Sequence, residues 1–279
     1  MHLAVALALS GIVTWFGARG LTGLMHSGKA LVANYKGNRI PTAVGLSFLF
    51  GGMTGIAWLI LWGEGEPSPG YGLIIAMLGA ALLGLLDDLM GTSGVKGLKG
   101  HLTSWLGGNL TTGALKALGG GSLALFVARL QLHRVTERGM LFLADWMVSA
   151  GMIALAMNLL NLADLRPGRA GKVFLLLSLI ALGLVPGERF VWLLPVLFSA
   201  LVYLPGDLQG RFMMGDTGSN VLGIAVGTVL AWWIPWHWKL VITLSLVALH
   251  LAAERVSFSK VIAQNSVLRR IDGWGRQDN

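Results

Sequence analysis

The sequence predicts an all-α protein that crosses a membrane several times. Of its 279 residues, 54% are hydrophobic and only 12% are charged, whereas an ordinary soluble domain has roughly 25% charged residues. The mean hydropathy of +0.69 agrees with this class. The chain has no cysteine, so disulfides, thiolate metal sites and cysteine nucleophiles are excluded.

Nine apolar segments are long enough, or nearly so, to span a bilayer, which requires roughly 17 to 25 residues per helix. No Lys or Arg precedes the first apolar run, its first cation is Arg19 at the inner end, and no clear cleavage site follows, so we interpret it as a retained helix with its N-terminus outside. Because nine is odd, we expect a cytoplasmic C-terminus. The segments cover residues 3–24, 43–62, 71–87, 104–127, 140–160, 172–186, 190–206, 217–235 and 238–254.

The distribution of cations supports this orientation in the cell (inner) membrane. With the N-terminus outside, fifteen of the 21 Lys and Arg residues lie on the inner side and five on the outer side, and Lys116 lies within the fourth segment. This asymmetry is the positive-inside rule. The net charge of +8 is therefore better explained by cytoplasmic loops than by nucleic acid, which we do not expect as a partner.

Residues 255–279 are predicted to form a basic cytoplasmic tail after a transmembrane domain of residues 1–254. Apolar residues alternate there with Lys260, Arg269 and Arg270. This pattern is typical of a helix lying in the headgroup region, and a solvated tail is the alternative.

An acidic pair, Asp87-Asp88, ends the third apolar segment. Two carboxylates at the end of a membrane helix are unfavourable unless water, a partner or a cation compensates them. A helix end that faces water explains the pair equally simply. The following stretch supplies Lys96, Lys99 and His101, which could neutralise the carboxylates or bind a phosphate.

Three polar residues, Asn158, Asn161 and Asp164, are spaced three apart at the inner end of the fifth segment. On a helix this spacing puts their side chains along one edge. Carboxylate and amide oxygens suit Mg²⁺, although amides at a helix end also cap the backbone. Arg166 and Arg169 follow around a Pro-Gly turn and match phosphate oxygens, but topology alone would also place cations on this loop.

The turn 215–219 precedes the eighth segment and contributes Asp216, Thr217 and Ser219. Free N–H groups at a helix N-terminus favour anions, and a carboxylate there can hold a metal that bridges phosphates. The same residue types are also ordinary helix caps. Lys116 costs roughly 2.5 to 3.5 kcal/mol at the centre of a span, so we expect it to face a polar cavity or an anion, with snorkelling as the alternative.

Together these motifs resemble the polyprenyl-phosphate N-acetylhexosamine-1-phosphate transferase family. The resemblance implies transfer of a sugar 1-phosphate from a UDP-sugar to a polyprenyl phosphate such as undecaprenyl phosphate. It also implies a cytoplasmic active site and Mg²⁺, or alternatively Mn²⁺, as the cofactor. A homodimer stays an open alternative, since dimers are common in that family. The motifs occur in the family's order: 39–45, Asp87-Asp88, Asn158-x-x-Asn161-x-x-Asp164 and 215–219.

The resemblance further implies roles for individual residues. Asp87 and Asp88 would activate or position the lipid phosphate, and Asp216 with Asn161 would bind Mg²⁺. Asn158 and Asp164 would line the nucleotide-sugar site. The remaining candidates for substrate binding are Lys36, Lys96, Lys99, Lys116, Arg166, Arg169, Thr217 and Ser219.

Three features depart from the family. Pro167 stands where a carboxylate is usual, no segment for a tenth helix follows the ninth, and the six histidines form no His-x-His group. Two other function classes therefore stay open. One is an inactive relative that binds polyprenyl phosphate or regulates cell-envelope glycan synthesis, and the other is a transporter, for which Lys116 is the best support.

Overall fold

The computed structural model describes residues 1–63, 65–91, 111–132 and 139–276. Lys96, Lys99 and His101 lie outside the described residues, as does the start of the predicted fourth segment. Within the described ranges, nine helices of 15 residues or more follow the order of the nine predicted segments: α1 (His2–Ser27), α2 (Leu46–Trp62), α3 (Ser68–Met90), α4 (Thr112–Leu132), α5 (Met140–Ala163), α6 (Arg169–Leu184), α8 (Leu194–Leu208), α9 (Gly215–Trp233) and α10 (Trp236–Arg255).

Short elements complete the described part of the chain. An antiparallel hairpin connects α1 to α2, with Val32 paired to Ile40, and a single helical turn precedes α8. Two short helices follow α10. These elements are β1 (Leu31–Ala33), β2 (Arg39–Pro41), α7 (Gly187–Phe190), α11 (Phe258–Gln264) and α12 (Ser266–Gly273).

Five helices in the described ranges are long and apolar enough to cross a membrane: α1, α3, α4, α5 and α10. Helices α2 and α8 are apolar but shorter. The protein is therefore an all-α polytopic membrane protein, as the composition predicts. The number of nine spans and the orientation in the membrane stay predictions.

Helix α9 lies at the centre of the bundle, and every residue from Thr217 to Ala231 is buried. Its glycines allow close helix contacts, because a Cβ added at Gly223 would lie 2.8 Å from the Ala156 carbonyl oxygen of α5. Small residues are the usual means by which membrane helices approach each other. The glycine and hydroxyl residues of α9 therefore face protein, whereas α10 buries only Lys239 and Leu246.

The two ends of the bundle differ in their polar contacts. At one end, Lys239 of α10 is buried and its Nζ lies 2.8 Å from Oδ1 of Asp145 and 3.1 Å from Oγ of Ser149. This ion pair holds α10 against α5. At the other end, the final turns of α3, α5 and α8 meet the first turns of α4, α6 and α9, and this end contains the predicted polar motifs.

Candidate functional site

Asp88, near the C-terminal end of α3, caps the first turn of α9. Its Oδ1 accepts a hydrogen bond from the N–H of Asp216 at 2.9 Å, and its Oδ2 accepts from the N–H of Thr217 at 3.0 Å. The hydroxyl of Thr217 donates to the same Oδ2 at 2.6 Å. A carboxylate satisfies the free N–H groups of a helix N-terminus and is favoured by the helix dipole. Asp88 therefore fixes the turn that carries Asp216.

Two glycines make this contact between α3 and α9 possible. Gly215 has a φ of +69°, which side chains rarely adopt, and a Cβ added there would lie 2.7 Å from Oδ1 of Asp88. One turn earlier on α3, a Cβ added at Gly84 would lie 2.5 Å from the carbonyl oxygen of Asp216. Glycine is the residue that permits both the backbone conformation and the close approach.

The proline-threonine segment 39–45 runs beside the same turn. The N–H of Met213 donates to the Pro41 carbonyl at 2.8 Å, and the N–H of Gly45 donates to the Met214 carbonyl at 3.1 Å. These backbone bonds hold the residues just before α2 against the residues that precede Gly215. The predicted first and fourth inner motifs are therefore neighbours.

Lys116 of α4 joins two carboxylates from two other helices. Its Nζ lies 3.4 Å from Oδ2 of Asp87 on α3 and is in direct contact with Oδ2 of Asp216 on α9. Asp87 and Asp216 keep 23% and 28% of their side-chain surface exposed, so both carboxylates are partly open to the surroundings. Lys116 thus faces anions, and the three side chains form what we call the carboxylate–lysine cluster.

The third predicted motif meets the fourth beside this cluster. Nδ2 of Asn161 donates to Oγ of Ser219 at 3.4 Å, and Ser219 in turn donates to the carbonyl of Asp216 at 3.3 Å. The carboxylate of Asp164 lies near the backbone N–H of Gly215. Asn158, one turn earlier on α5, is exposed. Asn161 and Asp164 therefore belong to the site, while Asn158 lies at its edge.

A further buried carboxylate, Asp207, ends α8 and accepts a hydrogen bond from the N–H of Gly168 at 2.9 Å. Burial, followed by the charges of Asp207, Asp216 and Asp88, raises the pKa of Asp164 well above its ordinary value. Asp207 is not among the site residues predicted from the sequence. The available signal was an acid directly after Pro-Gly at the end of an apolar segment.

The predicted phosphate-binding cations after α5 have protein partners in the structure. The guanidinium of Arg166 lies 4.2 Å from the ring centroid of Tyr35 in the hairpin. Arg169 forms a forked ion pair with Asp272 of α12, at 2.7 Å from Oδ1 and 3.0 Å from Oδ2. Its Nη1 also donates to Oγ of Ser259 at 3.0 Å. These two arginines thus connect the α5–α6 loop to the hairpin and to the C-terminal segment.

Two more cations hold the C-terminal segment in place. Lys172 donates to the carbonyls of Ile271 and Asp272 at 3.0 Å and 2.7 Å, at the C-terminal end of α12. Arg276 donates to Oδ2 of Asp272 at 3.2 Å and to the carbonyl of Pro167 at 3.1 Å. Arg169, Lys172, Asp272 and Arg276 form what we call the tail clamp.

The tail clamp favours the ionised form of Asp272. Burial alone would raise its pKa, but the hydrogen bonds and charge of Arg169, together with Arg276, outweigh burial and lower the pKa below its ordinary value. This carboxylate therefore stays charged and paired at neutral pH.

A cavity of about 160 Å³ lies between the hairpin and the tail clamp. The hairpin turn contributes Tyr35 and the exposed Lys36, and the opposite wall contains Pro167, Gln209 and Arg276. Lys36 lies 5.7 Å from the ring centroid of Tyr35. The structure therefore places the predicted substrate-binding residue Lys36 at this cavity, next to the tail clamp.

The carboxylate–lysine cluster contains suitable ligands for Mg²⁺. Among the described residues, no group of three Asp, Glu, His or Cys side chains forms a full metal site. Mg²⁺ commonly uses one or two carboxylates and takes its other ligands from water and phosphate oxygens. Asp87 and Asp216 already converge on one positive charge, that of Lys116, so the space between them favours a cation.

Comparison of the sequence with protein-family models and with curated proteins found no match. The likeness to the transferase family therefore rests on the motifs and their order.

Proposed function

We propose that the protein transfers a sugar 1-phosphate, with an N-acetylated hexosamine as the expected sugar, from a UDP-sugar to a polyprenyl phosphate at the cytoplasmic face of the inner membrane. One observation carries the proposal. Three motifs that are up to 129 residues apart in sequence, represented by Asp88, Asn161 and Thr217, are joined by hydrogen bonds around one cluster. Independent helix caps would have no reason to meet in this way.

The proposed reaction balances without a covalent intermediate on the protein. A phosphate oxygen of the lipid attacks the β-phosphorus of the UDP-sugar, the bond between the two donor phosphates breaks, and UMP leaves. Such a transfer depends on in-line positioning and on compensation of the diphosphate charge. A site at the end of a helix bundle suits it, because the lipid phosphate and the soluble nucleotide meet only at the membrane surface.

The residues present suggest a division of labour. Asp216 and Asn161 are the proposed ligands of Mg²⁺, for which Mn²⁺ is the alternative, and the ion would compensate the charge of the diphosphate. Asp87 shares the ammonium of Lys116 with Asp216, so a phosphate entering between them meets the same ammonium. Asp88 acts through the turn of α9, because three hydrogen bonds already hold its carboxylate.

The proposal is tested with purified protein, polyprenyl phosphate and a panel of UDP-sugars in detergent with Mg²⁺. We expect release of UMP with at least one sugar, and a loss of roughly 100- to 1000-fold in Asp216→Asn, the range for removing a group that stabilises the transition state. Glu188→Gln is the matched control, since Glu188 is an exposed carboxylate on α7. Undiminished turnover in Asp216→Asn would remove this residue from the proposed metal site.

A second candidate function is a polyprenyl-phosphate-binding protein without transferase activity. The occupation of the space between Asp87 and Asp216 by Lys116 favours it, as does the lack of a His-x-His group in the sequence. A protein that binds labelled polyprenyl phosphate but turns over no UDP-sugar of the panel would support this candidate over the transferase.

A further inference from the structure

The C-terminal segment, residues 256–276, carries an exposed apolar face. Val267, Leu268, Ile271 and Trp274 are all exposed, Trp274 by 80%. At 100° per residue, they fall within an arc of about 120° on α12 and its immediate continuation. The side chain of Asn265 caps α12 by accepting from the N–H groups of Val267 and Leu268. Val267, Leu268 and Ile271 therefore share one face of α12, and Trp274 follows directly after its end.

The charges of this segment are positive wherever it is exposed. Lys260, Arg269 and Arg270 are exposed, and Arg270 borders the apolar arc. Asp272 is the one acidic residue in the sequence between 256 and 276. Its carboxylate is turned inward to Arg169 and Arg276 and is only 12% exposed. The outer surface of the segment is therefore both apolar and cationic.

The segment also lies next to a predicted membrane surface. Helix α10, which is long and apolar enough to span a membrane, ends at Arg255, and α11 begins at Phe258. The tail clamp then holds α12 against Pro167 and the first turn of α6, in the connection that follows the end of α5. The short connection between α10 and α11, together with the tail clamp, keeps the apolar face near the ends of the helices.

We propose that residues 256–276 bind an anionic lipid surface, with Val267, Leu268, Ile271 and Trp274 at the boundary between headgroups and acyl chains. An anionic lipid surface binds a helix through its apolar residues and through its cations, and this segment exposes both. A tryptophan is typical of the membrane interface. A second copy of the chain is a poorer occupant, because it would bring its own cations to the same face. The proposal does not depend on the transferase function.

The test uses the absence of cysteine in the chain, which makes a single introduced cysteine a unique labelling site. Val267→Cys places a nitroxide on the apolar face, and Ser266→Cys, its exposed neighbour, places one about 100° away. The full-length labelled proteins are placed in lipid nanodiscs of phosphatidylcholine with or without phosphatidylglycerol. Accessibility to oxygen and to a water-soluble nickel chelate is then measured for each label.

With phosphatidylglycerol present, we expect the label at 267 to be accessible to oxygen and shielded from nickel, and the label at 266 to show the reverse. Arg270→Gln should reduce the ratio of shielded to unshielded label about fivefold, the effect of one cation near an anionic surface. Equal nickel accessibility of both labels would overturn the proposal. Shielding that is equal without phosphatidylglycerol would contradict the role of lipid charge, and spin–spin broadening at 267 would identify a second copy as the occupant.

Discussion

Two ionic clusters at the same end of the bundle use similar residues in opposite proportions. In the carboxylate–lysine cluster, Asp87 and Asp216 share the single ammonium of Lys116, and about a quarter of each carboxylate side chain is exposed. In the tail clamp, one carboxylate, that of Asp272, receives two guanidinium groups and is 12% exposed. The first cluster retains negative charge and access, whereas the groups of the second are paired within the protein.

This difference separates residues suited to binding from residues suited to holding the structure. A carboxylate with unused lone pairs at an open site can take a metal ion or compete for a cation. A buried forked pair has few unused donors, and its removal leaves unpaired charge. Residue type alone therefore does not identify the functional site, and the partners of each charge do.

The largest effect is expected from Gly215→Ala, which changes the turn that carries Asp216 of the carboxylate–lysine cluster. The added Cβ would collide with Asp88, and φ at +69° would strain any side chain. We expect a loss of about 3–5 kcal/mol in stability, from strain and overpacking together, with loss of UMP release. Gly210→Ala is the matched control, because Gly210 has a φ of +64° but no atom within 4 Å of the added Cβ. Thermal unfolding of both variants in detergent measures the difference, and equal losses would contradict the close contact.

A smaller effect is expected from Asp272→Asn, which breaks the tail clamp. Arg169 and Arg276 would lose their charged partner, and we expect docking of residues 256–276 to weaken by about 2–3 kcal/mol. Hydrogen exchange of this segment should accelerate accordingly. The release of UMP should change less than in Asp216→Asn, so an equal loss in both variants would place the tail clamp within the reacting site.

Lys116→Met tests how the ammonium of the carboxylate–lysine cluster affects binding of a divalent ion. Removal of the ammonium leaves Asp87 and Asp216 without this competing cation, so we expect divalent ions to bind about fivefold more tightly, equivalent to ~1 kcal/mol. Titration with Mn²⁺, followed by its paramagnetic resonance signal, measures the affinity. Weaker binding in Lys116→Met would show that the lysine supports the ion instead of competing with it.

The smallest effect is expected from acid. Because the pKa of Asp272 is lowered in the folded protein, its ionisation stabilises docking of the tail fully above the ordinary carboxyl pKa of 3.8, and the stabilisation is lost as the pH falls through the lowered value. Hydrogen exchange of residues 256–276 should therefore show no step between neutral pH and about pH 5. In the wild type, exchange of this segment should accelerate only as the pH falls below 3.8, and Asp272→Asn should lack that acceleration. A step near neutral pH in the wild type would contradict the assignment.

The fold was largely predictable because bilayer thickness determines the length of apolar segments. The nine segments match nine helices in the described ranges, although the seventh was predicted from 190 and α8 begins at Leu194, after the separate turn α7. The hairpin at 31–41 was missed, since three-residue strands give too short a pattern. The central position of α9 was also missed, because its polar small residues face protein and hydropathy does not distinguish that from a weak span.

The candidate site was predictable in part. Order and residue type predicted that Asp87, Asp88, Asn161 and Asp216 lie on one face. The structure brings them close together, and their roles stay predictions. The partner of Arg169 was not predictable, since Asp272 lies 103 residues away and only the folded chain brings the two together. A pattern of cations on an inner loop has the same appearance whether the cations bind a ligand or the protein itself.

The carboxylate–lysine cluster is proposed to bind a divalent ion, whereas the tail clamp keeps the C-terminal segment in place. Mn²⁺ binding to three forms of the full-length protein distinguishes these two roles. The signal of free Mn²⁺ is measured during titration of the wild type, Asp216→Asn and Asp272→Asn in detergent. We expect one Mn²⁺ site in the wild type and in Asp272→Asn, and the loss of this site in Asp216→Asn. Retention of the site in Asp216→Asn, or its loss in Asp272→Asn alone, would contradict the account.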